Sequence, residues 1–336
     1  MYKELLKNFF TPEQIVQVLS ALPPVHHPVM ESIFADRLQL PFASVAKEDI
    51  LTDMNELPVI RRGFPAYEIS NDGYEVTTYE PLSVRHSQLI SAKDLNDLKS
   101  LKHGDQQIWA ANMTDKMRRR YLKTVEALCA VSLTGKIEWP MHDPGQMTPG
   151  NYYIDFGVPH ILNMSGFRMW DIPDLPMVEV FYALRAMRKM IRQCGFGAEL
   201  EIWAGENAYG RIVAMAQSHP EKSSLNVTID GDGINIAGYV VQERAETFRY
   251  PATDVVASVV PPNDVLMIAK DAGHKLIYCA VDDLDANLQA LPFFIKPVKK
   301  EDPSGIKLIS EGKPFPVVNV KGICRATVVG NEEGNA

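Results

Sequence analysis

The sequence predicts an α+β fold, with helices and extended segments gathered in separate stretches of one chain. Three observations predict it. Residues 105–134 repeat apolar side chains at helical spacing. Residues 66–79 alternate polar and apolar side chains around Asn71-Asp72-Gly73, the pattern of a β-hairpin. The tail holds three proline-bounded segments: Leu291-Pro292-Phe293-Phe294-Ile295-Lys296-Pro297, Glu301-Asp302-Pro303-Ser304-Gly305 and Lys313-Pro314-Phe315-Pro316-Val317-Val318. Proline fixes φ and has no N–H, so each apolar run reads as a short extended segment with forced ends.

The chain's 336 residues are 46% hydrophobic and 23% charged, an ordinary globular composition long enough for about two domains. Its net charge is −8 and its pI about 5.5. Such a balance excludes the dense phosphate contacts of a nucleic-acid reader, although the chain can line a space filled with DNA without gripping it. Cys129, Cys194, Cys279 and Cys324 are far apart and sit among apolar neighbours. They read as small buried hydrophobes in a reducing compartment, and zinc-type spacing is absent. No signal-peptide pattern opens the chain and no long apolar run predicts a membrane span.

Taken in order, Thr11 and Pro12 open a short helix whose apolar face is Ile15, Val18, Leu19 and Leu22, and Pro23-Pro24 stops it. His26 and His27 follow in a loop. Adjacent side chains on an extended chain point to opposite sides, which disfavours a metal reading. The hairpin expected across 66–79 is thin in apolar residues and needs something to lie on. In the long helix, Trp109, Met113, Met117, Tyr121, Val125, Leu128 and Ser132 share one face. Asp105 caps the helix and Gly135 ends it. Arg118-Arg119-Arg120 projects from its middle; a nucleic-acid patch is one reading, but the acidity of the chain favours a solvated face paired with carboxylates or a subunit contact.

A second helix is expected at 174–194, with Asp174 as cap, Pro176 in the first turn and Gly195 as stop. Met187 and Met190 read as core filler. Leu200–Trp203 reads as a strand and 207–218 as a helix. Two strands flank the turn Asp230-Gly231-Asp232-Gly233. Further strands fall near 255–260, 265–269 and 275–280. No repeat of 20–50 residues is present.

Catalytic and cofactor motifs are missing. There is no nucleophile elbow, phosphate loop or zinc-protease helix, and the glycines around Phe196 lack dinucleotide spacing. Asp230-Gly231-Asp232 begins like a calcium loop but lacks its later ligands. His142-Asp143 and Asp282-Asp283-Leu284-Asp285 have no partner at diagnostic spacing. No catalytic, cofactor or metal residue is therefore assigned.

The order of parts, from short arm through β excursion and long helix to mixed block and proline-punctuated return, resembles the tailed-phage major capsid fold. Local stretches are similar to the phage lambda E-type major capsid family. They are Glu80-Pro81-Leu82-Ser83-Val84 with Leu89–Leu95, Arg118–Arg120 followed by Thr124, Glu126 and Leu133–Lys136, Asp155-Phe156-Gly157, and Tyr278-Cys279-Ala280 leading into the tail. The resemblance implies an N-terminal arm over 1–35, an extended loop over 36–90 and a peripheral domain over 91–165 with its spine helix at 105–134. An axial domain over 166–285 and a return to the peripheral domain over 286–336 complete it. It further implies a non-enzymatic protein that assembles with itself into hexamers and pentamers of an icosahedral virion shell. Implied partners are a scaffolding protein, a portal protein, a decoration protein and packaged double-stranded DNA held without sequence specificity. No membrane is implied, and assembly would take place in the host cytoplasm. Candidate intersubunit contacts are Asn71, Asp72 and Gly73 on the loop, Arg118, Arg119 and Arg120 on the helix, and Asp230 and Asp232 in the axial turn. With acidic turns such as 230–232 or 282–283 around a symmetry axis, like charges would face one another. A soluble cytosolic enzyme or ligand-binding protein, or a phage tail-tube protein, are the competing readings.

Overall fold

The computed structural model describes residues 17–19, 21–46, 78–98, 102–142, 150–165, 169–172, 174–218, 225–251, 253 and 255–330. Along them run α1 (Pro28–Ser32), α2 (Ala92–Leu98), α3 (His103–Ser132), α4 (Met177–Gln193) and α5 (Glu206–Ser218). The expected hairpin turn at Asn71-Asp72-Gly73 lies outside the described residues, as does the expected cap at Thr11. The base of the excursion is described: Val45–Ala46 pairs antiparallel with Thr78–Tyr79. Tyr79 fastens this base by donating its hydroxyl to the Asp155 carbonyl at 2.8 Å and packing its ring near Phe156 and Phe315.

Helix α3 is the element the other layers share. Its thirty residues span roughly 45 Å. Met117, Tyr121 and Val125 are fully buried on one face, while Trp109 and Met113 nearer the start are half-buried. From Ala127 to Leu133 every residue is buried, so the last two turns are surrounded on all sides. The helix begins two residues before the expected cap, and Asp105 falls in its first turn, where a carboxylate complements the helix dipole. Gly135 stops it with φ of 88°, and a Cβ there would lie 2.2 Å from the Gly157 carbonyl oxygen. Gly312 is needed for a second close approach: a Cβ at this position would lie 2.3 Å from the Tyr121 hydroxyl.

Two sheets pack on α3. Under its first half, Phe294–Lys300, Gly305–Gly312 and Val84–Ser91 form an antiparallel sheet in that order. Met117 shares a buried cluster there with Ile90, Ile295, Ile306 and Leu308. Against its second half lie Arg37–Leu40, Lys275–Cys279 and Pro314–Val317, again in sheet order. Phe315, Val317 and Tyr278 join Tyr121, Val125 and Leu128 in one core. Pro314 opens its strand as the sequence suggested, but two other tail prolines do not end theirs. Pro297 sits mid-strand opposite Leu308, and Pro316 opposite Leu276. Both strands are outermost in their sheets, where a missing N–H costs the ladder nothing.

The middle block is built on a seven-stranded mixed sheet. Its order is His160–Ile161, Ile323–Thr327, Asp264–Ala269, Leu200–Ala204, Tyr239–Glu243, Gly233–Ile236 and Val227–Asp230. Helices α4 and α5 bury Val180, Leu184, Met187, Ile191, Ala208 and Ile212 in its core. Asp174 does not cap α4. It has φ of 61°, and Pro176 takes the N-cap position in extended geometry. The ring of Pro176 steers Leu175 away from helical angles, so the helix starts after it. The final strand also departs from expectation. Ile323–Thr327 enters the middle sheet between His160–Ile161 and Asp264–Ala269, while its first residue, Ile323, still joins the core around α3. Ile323, Cys324 and Ala326 are fully buried on its two faces, and the strand is paired on both edges.

Helix α1 is anchored to α3 by a carboxylate. Glu126 accepts the Val29 and Met30 amides at 2.8 and 2.9 Å, holding the start of α1 against the spine helix. Burial raises its carboxyl above the ordinary range, and the two amide bonds partly counter that rise. Two substitutions test these packing statements. Met117→Asp would place a carboxyl among Ile90, Ile295 and Leu308 at a cost on the order of 4 kcal/mol, and the chain should be recovered insoluble or largely unfolded by circular dichroism. Glu126→Ala should lower the unfolding free energy by about 1–3 kcal/mol in a denaturant titration, while Glu126→Gln, which keeps one acceptor, should lower it less.

Candidate functional site

The strands beneath α3 converge on a set of charges that the sequence scatters widely. Lys296 places its ammonium between Asp283, at 2.6 Å, and Asp285, at 2.8 Å. Arg85 lies 3.2 Å from Glu311 and 3.9 Å from Asp283. Lys313 reaches Asp282 at 3.0 Å. Asp283, Glu311 and Lys313 are buried, so each needs its partner. Burial alone would push the Asp283 carboxyl up, but the bonds from Lys296 and the Asp285 amide outweigh it and hold the carboxyl below its ordinary value. The acidic run 282–285 is thus a neutralised structural network. The carboxylates expected to face their own copies are paired within the chain, Asp283 and Asp285 with Lys296 and Asp282 with Lys313.

The three arginines of the spine helix diverge. Arg118 and Arg119 both bind Asp115, at 3.3 and 2.6 Å, and Arg118 also donates to the Pro23 carbonyl at 2.9 Å. Arg120 faces away from that pair, into a groove shared with His86, Thr124, Trp139 and Tyr152. His86 sits 2.9 Å from the buried Ser310 hydroxyl. Partial burial lowers its pKa, and the nearby Arg120 charge lowers it further. Asp230 and Asp232 stand exposed on the turn of the outer hairpin in the middle block, with Asp230 near the Thr228 hydroxyl. Asn71, Asp72 and Gly73 lie outside the described residues.

The side chains that could carry chemistry are held otherwise. Burial raises the Cys279 and Cys324 thiols to about 11 and about 12, which keeps them protonated and unreactive. Among the described residues no cluster of three His, Cys, Asp or Glu side chains could hold a metal ion, and no helix is long and apolar enough to cross a membrane. Sequence reading missed the Lys296, Arg85 and Lys313 network because its members meet only through strand pairing. Glu126 has no partner visible in the sequence of α3, since the amides it binds lie almost a hundred positions away.

Removing the central lysine of the network tests it. Lys296→Ala leaves Asp283 buried with only the Asp285 amide and the distant Arg85, and should cost about 2–3 kcal/mol of unfolding free energy at neutral pH. Asp283 has a depressed pKa in the folded state, so the stability it contributes is present above its unfolded value near 4 and is lost as pH falls through the folded value. The gap between wild type and Lys296→Ala should therefore narrow in urea titrations carried below about pH 4.

The sequence profile of the family described as "Phage major capsid protein E" matches residues 11–328. No curated protein sequence matches the chain. Among solved structures, a protein assigned as a prophage capsid protein of Escherichia coli CFT073 is similar in fold, with a TM-score of 0.62 and 13% identity over 95% of this chain and 99% of that one. A phage-related protein from Bordetella bronchiseptica RB50 aligns with a TM-score of 0.48 and 14% identity over 94% and 97% of the two chains. The procapsid of satellite phage P4 gives 0.45 and 11% identity over 94% and 99%. A helix shared between sheets, buried charges already paired and a family match spanning nearly the whole length describe a structural protein of the virion, and the chain belongs to the phage major capsid protein E family.

Proposed function

We propose that this chain is the head-shell subunit of a tailed phage. Copies join as hexamers and pentamers, close into an icosahedral procapsid in the host cytoplasm, and expand as double-stranded DNA is packaged. The family match across residues 11–328 carries this reading. A scaffolding protein, a portal ring at one vertex and a decoration protein are the partners that such a shell calls for. The net charge of −8 suits an inner surface that encloses DNA without reading its sequence.

In this reading the middle block lies toward the axis of each capsomer and the layers around α3 lie toward its periphery. The segment that leaves at Ala46 and re-enters at Thr78 reaches over an adjacent subunit, with Asn71, Asp72 and Gly73 at its tip. Support comes from the base of the excursion, where the two ends pair and Tyr79 pins them to Asp155. Arg120, which no carboxylate of its own chain binds among the described residues, faces a groove open to a neighbour.

Negative-stain microscopy and sedimentation of the purified chain should show rings and closed shells. Discrete monomers or dimers under every assembly condition would refute the proposal, and stacked rings without shells would point to a tail tube. Deleting residues 66–77, which spares Tyr79, should leave a folded, soluble subunit that no longer closes shells. Normal shells from that deletion would refute the assigned role of the loop.

A further inference from the structure

The middle block is electrically polar from end to end. Strands Leu200–Ala204 and Tyr239–Glu243 run parallel, with Ala204 beside Glu243. Strand Gly233–Ile236 runs back between Tyr239–Glu243 and Val227–Asp230, with Gly233 beside Asp230. One end of the sheet therefore gathers the turn Asp230-Gly231-Asp232 with Glu243, and with Glu206 at the start of α5. All four carboxylate residues are exposed. Arg244, at the same end, is turned inward over the Trp203 ring and beside Glu246.

The opposite end, about 13 Å away along the strands, carries the reverse charge. There the turn Ala237-Gly238 and Tyr239 meet the outer face of α4, which presents Arg185, Arg188, Lys189 and Arg192. Their i, i+3, i+4, i+7 spacing puts all four on one stripe. Arg188 is half-buried beside the Tyr239 ring, and the other three are exposed. Among the described residues no carboxylate lies within ion-pair distance of any of them. Nearby Lys270 is taken by Glu201, and Asp271 is taken by the amides of Gly197 and Ala198, which leaves Glu199 as the exposed acid at this end. Exposed apolar side chains accompany both charged ends: Tyr182 on α4 and Val240 beside the Ala237-Gly238 turn at the basic end, and Ile229 next to Asp230 at the acidic end.

We infer that the basic stripe of α4 docks on the acidic end of the same sheet in a second copy of this chain, head to tail around the ring. The surface is complementary to another part of its own molecule, not to itself, so the contact is heterologous and propagates until a ring closes. A polyanion would explain the stripe but not the carboxylates collected at the other end. This inference rests on the assembly reading above and replaces the expected repulsion between like acidic turns with attraction between unlike ends.

Two variants test it. The first carries Arg185→Glu, Lys189→Glu and Arg192→Glu, so both its ends are acidic. The second carries Asp230→Lys, Asp232→Lys and Glu243→Lys, so both are basic. Thermal melting of the unassembled chains confirms that each folds, since every altered side chain is exposed. Each variant alone should lose assembly by at least about ten-fold in light scattering, as like ends meet. An equimolar mixture should regain ring formation, because unlike chains alternate. Alternation closes only in even-membered rings, so microscopy should show hexamers, sheets or tubes without the five-fold vertices of closed shells. Assembly of the wild-type chain should weaken as salt rises from about 0.05 to 0.5 M. A mixture as inert as its components would overturn the inference. So would either variant assembling like wild type, and shells that form normally but retain less nucleic acid would assign the stripe to a polyanion. A wild-type chain that forms no rings under any condition overturns the assembly reading itself, a result separate from these.

Discussion

Burial of Met117, Tyr121 and Val125 along one side of a single helix ties together layers that would otherwise be separate. The first half of α3 needs only one covered face, and the sheet at 84–91, 294–300 and 305–312 supplies it. The second half is enclosed on all sides, which no single sheet can do. The sheet of residues 37–40, 275–279 and 314–317 covers one side, and Val29, Met30, Phe34, Ile137 and Ile154 join the same core. The long-range pairings of the chain follow from this demand.

Much of this was legible because the signals are local. The 3.6-residue repeat of α3 and the stop at Gly135 depend on neighbours within a few positions, and both appear where the sequence places them. The turn at 230–233 and the strands around it were equally readable. Readings failed where a distant partner decides. Asp174 looked like a cap until Pro176 displaced the start of α4. The last strand looked like part of the return, but it pairs on both edges with strands of the middle sheet, and Cys324 and Ala326 are buried in that sheet's core.

The charges of the candidate site divide in the same way. Asp282, Asp283 and Asp285 looked like a free acidic cluster because Lys296 and Lys313 lie 11–31 positions away in sequence. Arg118 and Arg119 find Asp115 within one helical turn, and that pairing is visible in the sequence. The basic stripe of α4 is equally visible as a spacing, yet its meaning depends on which strands surround it. Charge that is neutralised inside the subunit holds the fold. Charge left exposed at the two ends of the middle sheet remains free to act between subunits.

The prolines of the tail have a consequence for crowding. A shell protein accumulates in many copies before it assembles, and an outer strand with a full row of donors would invite a neighbour to add its own strand. At Pro297 and at Pro314 and Pro316 those rows are interrupted. Uncontrolled strand addition into fibres is thereby disfavoured at the two outermost strands contributed by the tail. Association is left to side-chain surfaces, whose geometry can be reversed and corrected while a closed shell is still being built.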